Sequence, residues 1–157
     1  MRVSKFLKEH DVRFELIVHR PTYDAQHLAE AIHTPGDEVA KTVLLRADGD
    51  YALAVLPATH LVDMDRMRQA LEWDRVELAT ELEFRDLFPD CETGALPPFG
   101  SQYGLTTIVD NALAGDEIVF EGNTHDEAFC MKFEDYRRIE KPLLAEFSER
   151  LVASGTA

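Results

Sequence analysis

Apolar residues recur along this chain at two spacings, one helical and one alternating, and the switches between them mark the elements. Val3, Phe6 and Leu7 fall at helical spacing before His10-Asp11, predicting a short first helix. VRFELIVH (12–19) is strand-like. Thr22 or Asp24 can cap a second helix whose Ala25, Leu28, Ala29 and Ile32 form one stripe, ended by Thr34-Pro35-Gly36-Asp37. EVAKTVLLR (38–46), the turn Ala47-Asp48-Gly49-Asp50 and YALAVLP (51–57) predict a β-hairpin, because an Asp-Gly pair suits the tight turn between two β-rich runs. Asp63 or Asp65 opens a helix through Met67, Ala70 and Leu71. RVELAT (75–80) reads as a short strand, and Thr80-Glu81-Leu82-Glu83 is a capping box leading into FRDLFP. GALPPFG (94–100) is a loop, LTTIVD and EIVFEG are strands, GNTHDE is a turn and AFCMKF is a strand. Two helical segments, around Tyr136 to Ile139 and Leu143 to Val152, close the chain. The sum is six or so short strands with peripheral helices and no regular β-α alternation, which predicts one α+β domain over residues 1–157.

Within this pattern Lys41 is out of character. Residues two apart share a strand face, so Lys41 points the same way as Val39, Val43 and Leu45. One reading is an edge strand on which the lysine stem lies along the apolar face and the ammonium reaches water. The other is a partly desolvated cation at a pocket mouth, which requires an anionic ligand because an unpaired buried ammonium costs several kcal/mol.

Charge narrows the partner. A net charge of −14 over 157 residues repels a phosphate backbone at long range and argues against a DNA-binding protein. Any nucleic-acid contact should be local, limited to few phosphates and salt-dependent. Arginine outnumbers lysine 11 to 5, so each lysine matters. No apolar run approaches the roughly 20 residues that span a bilayer, and the N-terminal MRVSKFLKEHDVRFE is too polar for a secretory signal, so a cytoplasmic protein with no membrane partner is expected. Cys91 and Cys130 are isolated and read as two buried free thiols.

Two loops could carry chemistry. In GALPPFG, prolines stiffen the backbone while Gly94 and Gly100 allow close approach, so exposed N–H groups could hold an oxyanion; a plain connection under Phe99 would have the same composition. In Gly122-Asn123-Thr124-His125 a tight turn with positive φ is expected, ending in a histidine that either meets a ligand or is solvated. The six histidines lack metal-ligand spacing, and no G-x-S-x-G elbow or phosphate-binding glycine loop occurs, so neither a metal nor a cofactor is expected.

In order, these features resemble the YbaK-type family of aminoacyl-tRNA deacylases, which includes the editing insertion domain of bacterial prolyl-tRNA synthetases. The resemblance runs through HRPTYDAQHLAEA, EVAKTVLLRADGDYALAVLPATHLVD, LFPDCETGALPPFGSQYGLTTIVDNAL and IVFEGNTHDEAFCMKFEDYRRI. It implies an α+β fold with a mixed, barrel-like sheet, and hydrolysis of the ester between a mischarged amino acid and its tRNA. By the same resemblance, Lys41 anchors the terminal adenosine's phosphate, the Gly94 backbone lines the amino-acid pocket and His125 helps hold the substrate. Pro97, Pro98 and Gly100 would shape the loop, Asn123 and Thr124 the far wall, and Thr22 and Tyr23 a cover. Asp110 is either a turn carboxylate or a site residue. Water assisted by the substrate's ribose hydroxyl would attack, without a protein nucleophile. The partner implied is the aminoacyl-tRNA 3′ end, which a synthetase or elongation factor could deliver. Asn123 stands where the family usually has glycine, so its side chain is expected at the pocket rim, where it would bear on amino-acid specificity. The alternative is a non-catalytic module binding a small acyl or nucleotide ligand, or the tRNA 3′ end.

Overall fold

The computed structural model describes residues 1–47 and 49–151. Asp48 of the predicted hairpin turn and Val152, the end of the predicted last helix, lie outside the described residues. Strand β2 (Ala40–Ala47) pairs antiparallel with β3 (Asp50–Pro57), Ala47 standing opposite Asp50, which is the hairpin the Asp-Gly turn predicts. Parallel strands β6 (Thr106–Asp110) and β9 (Leu143–Ala145) extend this sheet on one side, and the short β5 (Glu77–Leu78) on the other, in the order β5-β2-β3-β6-β9. A second, antiparallel sheet runs β1-β8-β7, from Phe14–Val18, Glu127–Lys132 and Glu117–Glu121. A parallel bridge between Val39 and Val119 ties the two sheets together. Strands β4 (His60–Val62) and β10 (Ser148–Arg150) make a separate ribbon. The architecture is mixed α+β, as the pattern predicts.

The main core lies where α1 (Val3–Glu9) and α5 (Phe133–Glu140) meet the sheets. Phe6, Phe99, Phe120, Phe129 and Tyr136 interlock there, with Phe99 edge-on to Phe6, Phe120 and Tyr136. Helix α2 (Ala25–Ala31) lays Leu28 and Ala29 on Val39 and Val119, so its first turn sits over the start of β2. Asp24, not Thr22, is its cap and accepts from the His27 N–H at 2.7 Å. Helix α3 (Met64–Leu71) is capped by Asp63, and α4 (Glu81–Leu87) carries the full Thr80/Glu83 capping box.

Two expectations fail. The segment from Leu143 is not helical: Lys141 closes α5 in a left-handed conformation, Pro142 follows, and the chain then forms β9 and β10. Leu143, Leu144, Phe147 and Leu151 do carry helical spacing, but pairing with β6 and β4 captures the backbone. The Asp110 carboxylate also accepts the Phe147 and Ser148 N–H groups at 3.0 and 2.9 Å, fixing them extended. The thiols of Cys91 and Cys130 are half-exposed rather than buried. No helix among the described residues is long and apolar enough to cross a membrane.

Candidate active site

Strand β2 positions the central cation. Val39 and Leu45, which share a face with Lys41, are fully buried, while Lys41 itself is half-buried. It forms no ion pair with any described residue. Burial lowers its pKa below the ordinary lysine value, and the nearby Asp24 carboxylate works in the opposite direction. Lys41 stands where two depressions meet. A cavity of about 180 Å³ is walled by Leu28, Val43, Gly94, Leu96, Asp24 and Glu121. An open cleft of about 1030 Å³ runs outward past Arg20, His27, His33 and Thr59. Asp24, Ala25 and Lys41 border both.

The inner wall is organised by His125. The residue is buried, with Nδ1 2.8 Å from Glu121 Oε1 and Nε2 2.8 Å from the Thr93 carbonyl. A carbonyl only accepts, so Nε2 carries a hydrogen. Nδ1 therefore either donates to a glutamate anion or accepts from a protonated Glu121, and one proton is shared along that contact. Burial raises the Glu121 pKa to about 7, the histidine pulling against it. Burial pushes the His125 pKa down, but the Thr93 carbonyl and Glu121 outweigh it and leave the value raised. The Thr93 contact fixes the loop just before Gly94, which is exposed and left-handed at φ +87°, with the His125 Cε1 only 3.7 Å from where a β-carbon would stand. The Gly94 N–H has no hydrogen-bond acceptor among the described residues. The Tyr23 ring lies against the imidazole, centroids 4.7 Å apart, and is itself 75% exposed. The Thr22 N–H donates to the His125 carbonyl at 3.0 Å, while the buried Thr22 Oγ1 has no hydrogen-bond partner among the described residues.

The description of one family, the aminoacyl-tRNA editing domain, matches residues 19–139, which contain Lys41, Gly94, Glu121 and His125. The chain belongs to that family. Among relatives of this editing domain, it is 27% identical to the multifunctional Ser/Thr-tRNA deacylase ProXp-y of Escherichia coli K12, over 93% of this chain and 90% of that one. It is also 31% identical to the proline--tRNA ligase of Staphylococcus aureus strain Newman, over 47% of this chain but only 13% of the ligase. A solved structure described as a proposed trans-editing enzyme for prolyl tRNA synthetase superposes with a TM-score of 0.83, covering 94% of this chain and 95% of that one. At 18% identity it speaks to the fold alone.

For this editing domain the structure gathers Lys41, Gly94 and Tyr23 around one cavity, with His125 behind Gly94 and Thr22 hydrogen-bonded to it. Other expected site residues lie elsewhere. Pro97, Pro98 and Gly100 are buried in the core: the Pro98 carbonyl accepts from Tyr136 at 2.7 Å, and Gly100 is pressed against Thr107, whose Oγ1 accepts its N–H at 2.9 Å. Asp110 is committed to the backbone N–H groups of Ala112, Phe147 and Ser148. The Asn123 side chain is turned away from the pocket rim, accepting from the Val3 N–H at 3.0 Å and donating to the Met1 carbonyl at 2.7 Å. The turn does not need positive φ at Asn123. The glycine beside it is required for space, since a β-carbon on Gly122 would lie 2.6 Å from Phe129. Thr124 bonds locally to Asp126 at 2.6 Å. The cavity instead contains Glu121 and Asp24, the second of which the sequence marks only as a helix cap. The parity rule that singles out Lys41 could have found Glu121, which shares its strand face with buried Val119.

Proposed function

We propose that this chain is a trans-acting aminoacyl-tRNA deacylase that hydrolyses the ester of a small mischarged amino acid. The observation that carries the reading is the half-buried Lys41 ammonium, without an ion pair among the described residues, at the junction of a small cavity of about 180 Å³ and an open cleft. A terminal nucleotide entering along the cleft would set its phosphate on Lys41 and its aminoacyl group in the cavity. The low-dielectric wall strengthens that contact, and a phosphate would give the ammonium the direct ion pair it lacks among the described residues. The exposed Gly94 N–H would face the ester carbonyl and stabilise the oxyanion. An aminoacyl ester is intrinsically labile, so positioning it beside water and its own ribose hydroxyl supplies the acceleration without a protein nucleophile. The Ser/Thr-tRNA deacylase relative, matched over nearly its whole length, supports both the reaction class and a small amino acid. A synthetase or elongation factor would deliver the tRNA in the cytoplasm. We read residues 1–157 as one editing domain whose two main sheets, bridged at Val39 and Val119, wrap the core in barrel-like fashion.

The test is hydrolysis of tRNAs charged with serine, threonine, alanine and cysteine, set against spontaneous decay and against a bulky phenylalanyl ester. Enzyme-dependent turnover of at least one small ester, with the phenylalanyl ester spared, supports the reading. Saturable binding of these substrates with no turnover of any would instead identify a non-catalytic module.

A further inference from the structure

The cavity holds two carboxylates, and they differ in what remains open. Both oxygens of Asp24 are occupied by His27, one by its backbone N–H and the other by its ring nitrogen. Those contacts outweigh the upward push of burial and hold the carboxyl below its ordinary pKa. Glu121 is held on one side only: Oε1 meets His125, while Oε2 has no hydrogen-bond partner among the described residues. The side chain is partly exposed and lines the same cavity as Gly94 and Lys41. Resting on the deacylase reading, we infer that Glu121 is the subsite for the substrate's α-ammonium group.

Every aminoacyl ester carries that ammonium one carbon from the scissile carbonyl. Seated on Glu121 Oε2, it would bring the carbonyl toward the Gly94 N–H in the shared cavity. The arriving cation also favours the carboxylate form of Glu121 and so drives the shared proton onto His125 Nδ1. A fully protonated imidazole binds the Thr93 carbonyl more strongly, which fixes Gly94. Ammonium recognition is thereby coupled to the order of the loop that receives the carbonyl. The charged groups facing this site are Asp24 from the start of α2, Lys41 from β2 and Glu92 from the loop before Gly94. Two of the three are negative, which also favours a cation here. Acetylating the amino group removes the charge while keeping the ester and nucleotide.

Two measurements separate this inference from the function it rests on. Binding is measured at pH 6.5 with 3′-serylamino-3′-deoxyadenosine, a non-hydrolysable amide, and with its N-acetyl form. Turnover is measured with seryl-tRNA and N-acetyl-seryl-tRNA. Wild type is expected to prefer the charged ligand by about tenfold to a hundredfold, the range for a hydrogen bond between charged groups. Glu121→Gln is expected to lose that preference while binding the acetylated ligand within about twofold of wild type. Because the readout is a ratio within one preparation, partial unfolding of the variant does not mimic it. A preference retained in Glu121→Gln, or none in wild type, overturns the inference. A wild-type binding preference without turnover of any of the seryl, threonyl, alanyl or cysteinyl esters overturns the deacylase reading and leaves the ammonium subsite standing.

Discussion

Placing alanine at Gly94 adds one methyl group beside the candidate pocket. Gly94 is left-handed at φ +87°, so an alanine there incurs about 1–2 kcal/mol of backbone strain. The new methyl would lie 3.7 Å from His125 Cε1 and 3.8 Å from Nε2, which is ordinary contact and adds no clash. For a chain of this size the strain corresponds to a fall in Tm of roughly 2–8 °C. The effect on chemistry should be larger. In a cavity of about 180 Å³ the methyl group takes space needed by a small aminoacyl group. A change of one methylene is worth about 1–3 kcal/mol in discrimination, so kcat/KM on seryl-tRNA should fall roughly 10–200-fold. Thermal unfolding and deacylation measured on the same preparation decide the matter. A Tm loss well beyond 10 °C would mean that the strain or contact is misjudged. Unchanged kcat/KM with the small Tm shift would remove Gly94 from the site.

Three further outcomes follow from the same contacts and burial. Asn123→Ala should lower stability by about 1–3 kcal/mol in urea titrations, because the Val3 N–H loses its acceptor, while the ranking of amino acids hydrolysed stays the same; an altered ranking would return Asn123 to the pocket. Asp110→Ala strands three backbone N–H groups, two of them buried, and should cost about 2–6 kcal/mol; a loss under about 1 kcal/mol would show that β10 does not depend on this carboxylate. Glu140 is buried, and this raises its pKa above 4.5 despite hydrogen bonds from Ser101 and Thr107. A carboxyl with a raised folded pKa contributes stability below its unfolded pKa and loses it as pH rises through the folded value. The stability advantage of wild type over Glu140→Gln should therefore shrink as pH rises above 4.5; a constant or widening gap would contradict the burial argument.

What could be read from the sequence was set by local chemistry. The Asp-Gly hairpin, the Thr80/Glu83 capping box and the Asp24 cap each depend on residues within a few positions, and all three form. Lys41 was legible because strand parity is local too. The last segment carries real helical spacing that is overridden by pairing with β6 and β4, far away in sequence. Asn123 is likewise claimed by Val3, 120 residues distant, a contact no turn propensity encodes. For Pro97 to Gly100 composition allows either a ligand-holding loop or a plain connection under Phe99, and the contact that favours the second, Tyr136 donating to the Pro98 carbonyl, comes from 38 residues away. Of that loop, Gly94 and Leu96 border the cavity. Glu121 shares its face with buried Val119, but glutamate at the end of a strand usually faces water, so parity is a weak signal there until His125 is seen beside it.

The central claim, that Lys41 holds a phosphate of an aminoacyl-tRNA for ester hydrolysis, is tested most directly by the salt dependence of kcat/KM on seryl-tRNA for wild type and Lys41→Ala. Loss of one phosphate contact should reduce the rate about tenfold or more at low salt, and should flatten the logarithmic salt slope by about 0.7, the value for one contact on a single strand. Equal slopes, or a Lys41→Ala variant as active as wild type, would contradict the account.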